Sequence, residues 1–332
     1  MKVRDRSLLA GLGAAIVAVF AGVARIEGLE HRLPLFLSLY GAGFVLYAAA
    51  VVIALRSRDR SVAMRALVVA VALAARLVLV PATPVLSTDI HRYLWEGRVI
   101  AHGFNPFAHA PDAPELAGLR DENYEGVSHK EMVTIYPPVS QAVFALGALV
   151  RPNLSTQKLV FVLFDVGTVL LLMSLLGLRG ANETRSLIYA WSPLVVFETG
   201  HSGHLDAIGV FLTVLGLWFL ARRHRARAFV ALAAGFLSKF FTGILAPYFL
   251  VRRRYAPWLL LSAAVVVAGY LPFAGAGAGL FSSLGVYSSK WQFNGVPYLV
   301  IVGALGHPLV ARWILAAALV AFALVQAIRR EE

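Results

Sequence analysis

Pro34-Leu35-Phe36-Leu37-Ser38-Leu39-Tyr40-Gly41-Ala42-Gly43-Phe44-Val45-Leu46-Tyr47-Ala48-Ala49-Ala50-Val51-Val52-Ile53-Ala54-Leu55 is a run without one charged side chain. It is longer than the ~20 apolar residues that a helix needs to cross a ~30 Å hydrocarbon layer. Lipid offers free backbone groups no partners, so such a run must satisfy them internally, as a helix. Runs of the same character occupy residues 8–24, 66–86, 158–177, 204–221, 256–273 and 308–328. Of the 332 residues, 59% are hydrophobic and 14% charged, against about a quarter charged in soluble domains. The reading is all-α: a polytopic helical membrane protein forming a single integral membrane domain over residues 1–332, with roughly 8–11 membrane segments.

The net charge of +12 does not point to nucleic acid, because the basic residues gather between the apolar runs. The clusters are Arg56, Arg58, Arg60 and Arg65; Arg222, Arg223, Arg225 and Arg227; Arg252, Arg253 and Arg254; and Arg329 and Arg330. This is the positive-inside pattern, with those loops facing cytoplasmic anionic headgroups. The basic start, Met1-Lys2-Val3-Arg4-Asp5-Arg6, resembles a secretory leader, but no clear small-residue cleavage site follows. The first apolar run is therefore expected to stay as a helix. With no cysteine in the chain, disulfides, thiolate metal sites and cysteine nucleophiles are excluded.

Charge also orders the first spans. Lys2, Arg4 and Arg6 put the N-terminus inside, the second run returns to the Arg56–Arg65 loop, and the run 66–86 exits again. Residues 87–133 then form an extracytoplasmic loop. It holds Asp89, Glu96, Asp112, Glu115, Asp121, Glu122, Glu125 and Glu131 of the chain's 18 acids. Counting 134–150, 158–177 and 185–199 as full crossings would put Arg222–Arg227 outside, against the charge rule. The arginines outweigh the count. One stretch is expected to be re-entrant, 134–150 foremost, and 228–250 is expected to be a pair of half-helices meeting near Lys239. The Gly-Ala stretch 274–279 reads as a loop. No internal repeat is present.

Within the outer loop, Ser87 can cap a helix that begins at Thr88-Asp89. Ile90, Leu94, Gly97 and Ala101 share an apolar face, while Asp89, Arg92 and Glu96 share another. Gly103 ends the helix and Asn105-Pro106 turns the chain. The expectation is a short amphipathic helix at the outer membrane surface, with Trp95, Phe104 and Phe107 at the interface.

Ser87-Thr88-Asp89-Ile90-His91-Arg92-Tyr93-Leu94-Trp95-Glu96-Gly97-Arg98, then Gly103-Phe104-Asn105-Pro106-Phe107, then Thr134-Ile135-Tyr136-Pro137-Pro138, resembles bacterial mannosyltransferase-like proteins of the GT-C superfamily. These are similar to polyprenyl-phosphate-mannose-dependent enzymes. The likeness continues weakly through Gly200-His201-Ser202-Gly203-His204-Leu205-Asp206 and Gly235 to Lys239, covering roughly residues 60–260.

The resemblance implies a GT-C-like fold and an inverting transfer of a hexose, mannose foremost. The donor would be a polyprenyl-phosphate sugar and the acceptor an extracytoplasmic glycolipid or glycan, at a bacterial plasma membrane. Asp89 matches the family's early outer-loop acid, implying a general base, with Glu96 as a second catalytic candidate. Many relatives carry Asp-x-Asp and a metal ion there. Here the third residue is His91, which leaves Asp89, His91 and Glu96 as conceivable ligands but favours metal-independent catalysis without a cofactor.

A departing phosphate needs positive charge and hydrogen-bond donors. Lys239 stands alone in an apolar run, where a lysine is costly unless functional or snorkelling. Arg92 and Lys290 are further substrate-binding candidates, Lys290 lying in an outer loop beside Tyr287, Trp291 and Phe293. His201, His204 and Asp206 form His-x-x-His-x-Asp at a junction of apolar runs, with Glu198 just before. The set suits substrate contact, structural hydrogen bonds or a metal. Tyr136 is a further substrate-binding candidate, although Tyr136-Pro137-Pro138 suits a helix entry rather than chemistry. Arg76 and Asp165 lie mid-run and are expected to pair with each other.

A secondary transporter or lipid-linked-substrate flippase also predicts many spans, broken helices and intramembrane charge. It would show paired interrupted spans in two halves, which this chain lacks, and would not need the acidic segment 87–133. A non-catalytic assembly subunit would not need Asp89, Glu96 and Lys239 together.

Overall fold

The computed structural model describes residues 2–290 and 295–329, and the regular elements among them are all helical. Trp291, Phe293 and Arg330, named above, lie outside the described residues. The helices are α1 (Lys2–Ala24), α2 (Leu33–Arg56), α3 (Val62–Leu77), α4 (Asp89–Ala101), α5 (Pro138–Val150), α6 (Leu154–Leu178), α7 (Leu187–Ala190), α8 (Pro193–Phe197), α9 (Asp206–Ala221), α10 (Arg225–Phe236), α11 (Ala246–Leu250), α12 (Ala256–Tyr270), α13 (Ser282–Lys290), α14 (Val296–Leu305) and α15 (Pro308–Arg329). Five helical stretches among the described residues are long and apolar enough to cross a membrane: 4–24, 33–56, 154–178, 253–290 and 308–326.

The run 66–86 is not one span. Its helix, α3, ends at Leu77, and the chain leaves helix before Pro81 and Pro84, which supply no N–H and disfavour helix in the residue before them. Residues 185–199 are likewise broken into α7, α8 and a wide turn over Glu198–Ser202. The Gly-Ala stretch is not an open loop but a series of tight 3-10 turns over Leu271–Phe281, interrupted at Gly277 (φ 54°).

One end of the bundle gathers the arginine loops. Arg6 pairs with Asp59 at 2.8 Å, so the start of α1 and the α2–α3 loop meet. Asn182 donates to Ser57 O at 2.9 Å, Arg60 donates to Gly180 O at 2.8 Å, and Arg65 pairs with Glu183. The C-terminal end of α6 therefore lies at the same end. The chain then climbs through α7 and α8, descends through α9, and delivers Arg222–Arg227 to the arginine end. α5, with 13 residues, is only about 20 Å long at 1.5 Å per residue and does not cross. α5 is thus one of the apolar helices shorter than the span-length ones, together with α9 and α14, which fits the expectation that 134–150 is not a full crossing. α10 rises from this end to a break at Lys239, and the chain returns through a 3-10 turn (Phe240–Leu245) and α11 to Arg252. The expected pair of half-helices meeting near Lys239 is present.

The main core joins α1, α2 and α3 to the α7–α8 segment through Leu9, Ile16, Phe20, Phe36, Met64, Val68 and Trp191. Trp191 donates its indole N–H to Val68 O at 3.0 Å. Arg76 and Asp165 are wholly buried and paired, Nε to Oδ2. The Arg76 guanidinium also donates to Ala72 O (2.8 Å) and Ala190 O (2.9 Å), and Tyr189 donates to Asp165 Oδ1 (2.6 Å). These bonds offset much of the cost of burying two charges, while Arg76 Nη2 has no hydrogen-bond partner among the described residues.

The helix expected after Ser87 runs from Asp89 to Ala101, and Gly103 (φ 82°) closes it. It is not a one-sided surface helix. Arg92 through Gly97 are all buried, because the segment 102–137 folds back over the polar side. Trp95 and Phe107 are buried too, Trp95 packing with Tyr124, Leu116 and Val127 rather than meeting lipid. On the other side Gly97 lets α4 touch α5. A Cβ there would stand 2.3 Å from the backbone oxygen of Phe144.

Candidate functional site

The candidate site lies where four chain breaks meet: the loop 78–88, the approach to α5, the turn before α9, and the break after α10. Each break brings one polar group that the surrounding apolar sequence would otherwise exclude.

Asp89 stands in the first turn of α4, its N–H held by Ser87 Oγ at 3.3 Å. Its carboxylate is half-buried and has no hydrogen bond or ion pair among the described residues. Asp206 stands in the first turn of α9 and pairs with Lys239 at 2.6 Å, both side chains about half exposed (49% and 44%). Lys239 is extended (φ −156°, ψ 131°) because α10 stops before it. The start of α5 fixes that break: Val139 N–H donates to Leu237 O (2.9 Å) and Ser140 Oγ donates to Ser238 O (2.7 Å).

Tyr93 and Tyr136 meet edge to face at 5.0 Å, and Tyr93 stacks on Phe144 at 4.7 Å. The Tyr93 ring lies within electrostatic reach of both Asp89 and Asp206, as does Tyr287 on α13. Asp89, Tyr136, Asp206 and Lys239 are thereby brought together around one open polar cluster.

His204 joins the same cluster from the turn between the Glu198–Ser202 segment and α9. Its Nδ1 lies 2.5 Å from Glu198 Oε2 and its Nε2 lies 3.0 Å from Ser87 Oγ. Burial pulls the imidazole pKa down. The adjacent Glu198 carboxylate, aided by Asp89 and Asp206, outweighs that and raises it above the ordinary histidine value. The preceding Gly203 takes φ 68°, and a Cβ there would stand 2.5 Å from Ile90 Cδ1. Glycine is thus required both for the turn and for its approach to α4.

Other candidates are placed differently. Arg92 pairs with Glu96 at 2.6 Å and donates to the carbonyls of His129 (2.9 Å) and Met132 (2.6 Å). Glu96, 1% exposed, also accepts from Thr134 Oγ1 (2.7 Å) and Gln141 Nε2 (2.5 Å). This buried network ties α4 to the returning loop and to α5. His201 is buried and stacked on Phe197 at 4.5 Å. His201 therefore stands apart, while His204 and Asp206 both enter the cluster and turn to different partners there. Asp89, His91 and Glu96 do not share one site, for the His91 ring lies against Gly126. Among the described residues, no group of three or more His, Asp or Glu side chains could hold a metal ion. Lys290 is exposed at the end of α13, on a helix rather than in a loop.

Sequence reasoning passed over Lys158. It is wholly buried, and its ammonium donates to Ala82 O (2.6 Å) and Val80 O (3.4 Å). It holds the loop that leads to Asp89. As the first residue of an apolar run it reads like any interfacial lysine, and only its neighbours reveal the difference.

Two cavities lie elsewhere. One of about 290 Å³ opens at the far end of α4, beside Arg98, His102 and Arg120. One of about 450 Å³ opens at the arginine end, beside Arg223, Arg225, Arg227 and Trp258.

No curated protein and no solved structure matches the sequence. One family does, described as alpha-(1->6)-mannopyranosyltransferase, N-terminal domain, over residues 7–253. That span includes every residue of the cluster except Tyr287 and leaves α12 to α15 outside it. Such a family makes the protein a membrane glycosyltransferase that handles mannose, which sets the transporter and assembly-subunit alternatives aside. With well over half of its length matched, the chain belongs to the alpha-(1->6)-mannopyranosyltransferase N-terminal-domain family.

Proposed function

We propose that the protein transfers mannose from a polyprenyl-phosphate carrier to the hydroxyl of an extracytoplasmic glycolipid or glycan, with inversion at the anomeric carbon and Asp89 as general base. The observation that carries this reading is the free carboxylate of Asp89, beside the half-exposed Asp206–Lys239 pair. A base must have a lone pair to give. Glu96 has both oxygens engaged in a buried network. Asp89 does not.

In this reading the acceptor oxygen attacks the anomeric carbon and loses its proton to Asp89. The bond from that carbon to the phosphate oxygen breaks, and the electron pair leaves on the carrier phosphate. Lys239 meets the phosphate charge, exchanging some of its contact with Asp206 for the donor. Tyr136 and Tyr287 flank the sugar. His204 stands behind Ser87 at the edge of the cluster. Arg92 and Glu96 hold α4 in place without touching substrate, and Lys290 is free to meet the donor's headgroup region.

The arginine loops face the cytoplasm and the cluster faces the opposite side, consistent with their separation by α9, about 24 Å long at 1.5 Å per residue. The chemistry is written without a metal or other cofactor, because leaving phosphate, lysine and base suffice for it. A positioned carboxylate contributes typically ~10²–10⁴-fold, and alignment of the two substrates contributes more.

The test is transfer of radiolabelled mannose from polyprenyl-phosphate mannose in membranes. The wild type should transfer and Asp89→Asn should not. Full activity of Asp89→Asn would remove Asp89 as the base. Loss of activity on chelation, rescued by manganese, would overturn the metal-free scheme.

A further inference from the structure

Ser87, His204 and Glu198 form a line of polar contacts, a hydrogen bond from Ser87 to His204 and a charge contact from His204 to Glu198, that the scheme above does not use. Ser87 Oγ lies 3.0 Å from His204 Nε2, and His204 Nδ1 lies 2.5 Å from Glu198 Oε2. The same Ser87 oxygen accepts the backbone N–H of Asp89 at 3.3 Å. These groups come from the loop before α4, the turn before α9 and the wide turn after α8. No local sequence constraint brings them into line.

Building on the proposed transfer reaction, we propose that Ser87 is a substrate-contacting residue that donates its hydroxyl proton to an oxygen of the donor's sugar phosphate, and that the Glu198–His204 pair sets the direction of that proton. A serine hydroxyl has one proton and two lone pairs. When His204 is neutral, with its proton on Nδ1 facing Glu198, Nε2 is bare and takes the Ser87 proton. Ser87 then has none to offer. When His204 is charged, Nε2–H donates to Ser87 Oγ. The serine's lone pairs are then filled by His204 and by Asp89 N–H, and its own proton is left for a substrate oxygen.

The charges around His204 favour the second state. Glu198 faces it from the wide turn, Asp89 from α4 and Asp206 from α9, while Lys239 is engaged with Asp206. Tyr93 and Tyr136 complete the wall and remain neutral phenols in the same range. The serine would therefore donate while His204 keeps its proton, and withdraw as the pH rises through a His204 pKa held above the ordinary histidine value.

The test is the pH profile of kcat/KM for mannose transfer from polyprenyl-phosphate mannose, between about pH 6 and 9, the range in which a histidine raised above its ordinary value titrates. The wild type should show an alkaline fall corresponding to one proton. Ser87→Ala should be slower by roughly 10–100-fold at the acid side, as expected for a lost hydrogen bond to a charged group, and should lose the fall. Ser87→Thr, which keeps the hydroxyl and the bond to Asp89 N–H, should keep the fall. Glu198→Gln should move it to lower pH. An unchanged fall in Ser87→Ala would overturn the proposal, and so would equal damage from Ala and Thr, which would make Ser87 a helix cap only. A wild type that transfers without any pH dependence sinks this inference alone. A wild type that does not transfer from this donor sinks the reaction on which it rests.

Discussion

Lys239 Nζ lies 2.6 Å from Asp206 Oδ2, joining the break after α10 to the first turn of α9. The pair is half exposed, so it contributes little to stability. Its use is positional. It keeps an ammonium at a point where an anionic substrate can replace the carboxylate.

Replacing Lys239 by Met should therefore weaken the donor more than the fold. The donor KM should rise by roughly 10–100-fold, the value of a hydrogen bond to a charged group, while the thermal midpoint stays near that of the wild type. Transfer kinetics across donor concentrations check this. Unchanged donor KM would make the lysine a structural residue.

Asp89 and Glu96 share a helix but not a role. Asp89→Asn should lower turnover by about 10²–10⁴-fold and leave thermal unfolding in detergent unaltered. Glu96→Gln should do the reverse first. It leaves the Arg92 guanidinium buried without its carboxylate, a loss of about 3–5 kcal/mol for a broken buried pair. If the two variants unfold alike, the division of labour is wrong.

The Arg76–Asp165 pair offers a stability test remote from the site. Asp165→Asn alone should destabilise by about 3–5 kcal/mol, while Arg76→Met with Asp165→Leu should recover most of it, because no lone charge remains in the core. Unfolding midpoints of the single and double variants decide the matter. A double variant no better than the single would mean that the pair is itself a source of stability.

Lys158 ties the carbonyls of Val80 and Ala82 to α6. Lys158→Met removes the donor and leaves the carbonyls buried, costing about 1–3 kcal/mol. Because that loop carries Asp89, turnover should fall more than donor KM rises. A variant of normal turnover and lowered stability would confine Lys158 to holding the fold.

Much of the architecture was legible in the sequence. Long apolar runs in lipid can only be helices, so α1, α2, α6 and α15 follow from composition. The arginine clusters marked one end of the bundle, and the short α5 fits the expectation that 134–150 is not a full crossing. The break at Lys239 was readable because a lone cation in an apolar run must find water or a partner. The interior pairing of Arg76 with Asp165 followed from the same cost of unpaired charge.

The sequence could not tell Asp89 from Glu96, because helical periodicity gives only a shared face. Tertiary structure separated them: the segment 102–137 folds over α4 and buries Arg92 and Glu96 in a closed network, while Asp89 stays at the open end. Nor could it foresee that His201, His204 and Asp206, so close in the chain, would turn to different partners. Their directions depend on the positive φ of Gly203 and on packing against Ile90. Local sequence determined which segments are helical, because each helix closes its own hydrogen bonds. Which polar side chains meet was decided only by the folded chain, because those contacts join residues far apart in sequence, and their geometry is set by how the helices pack.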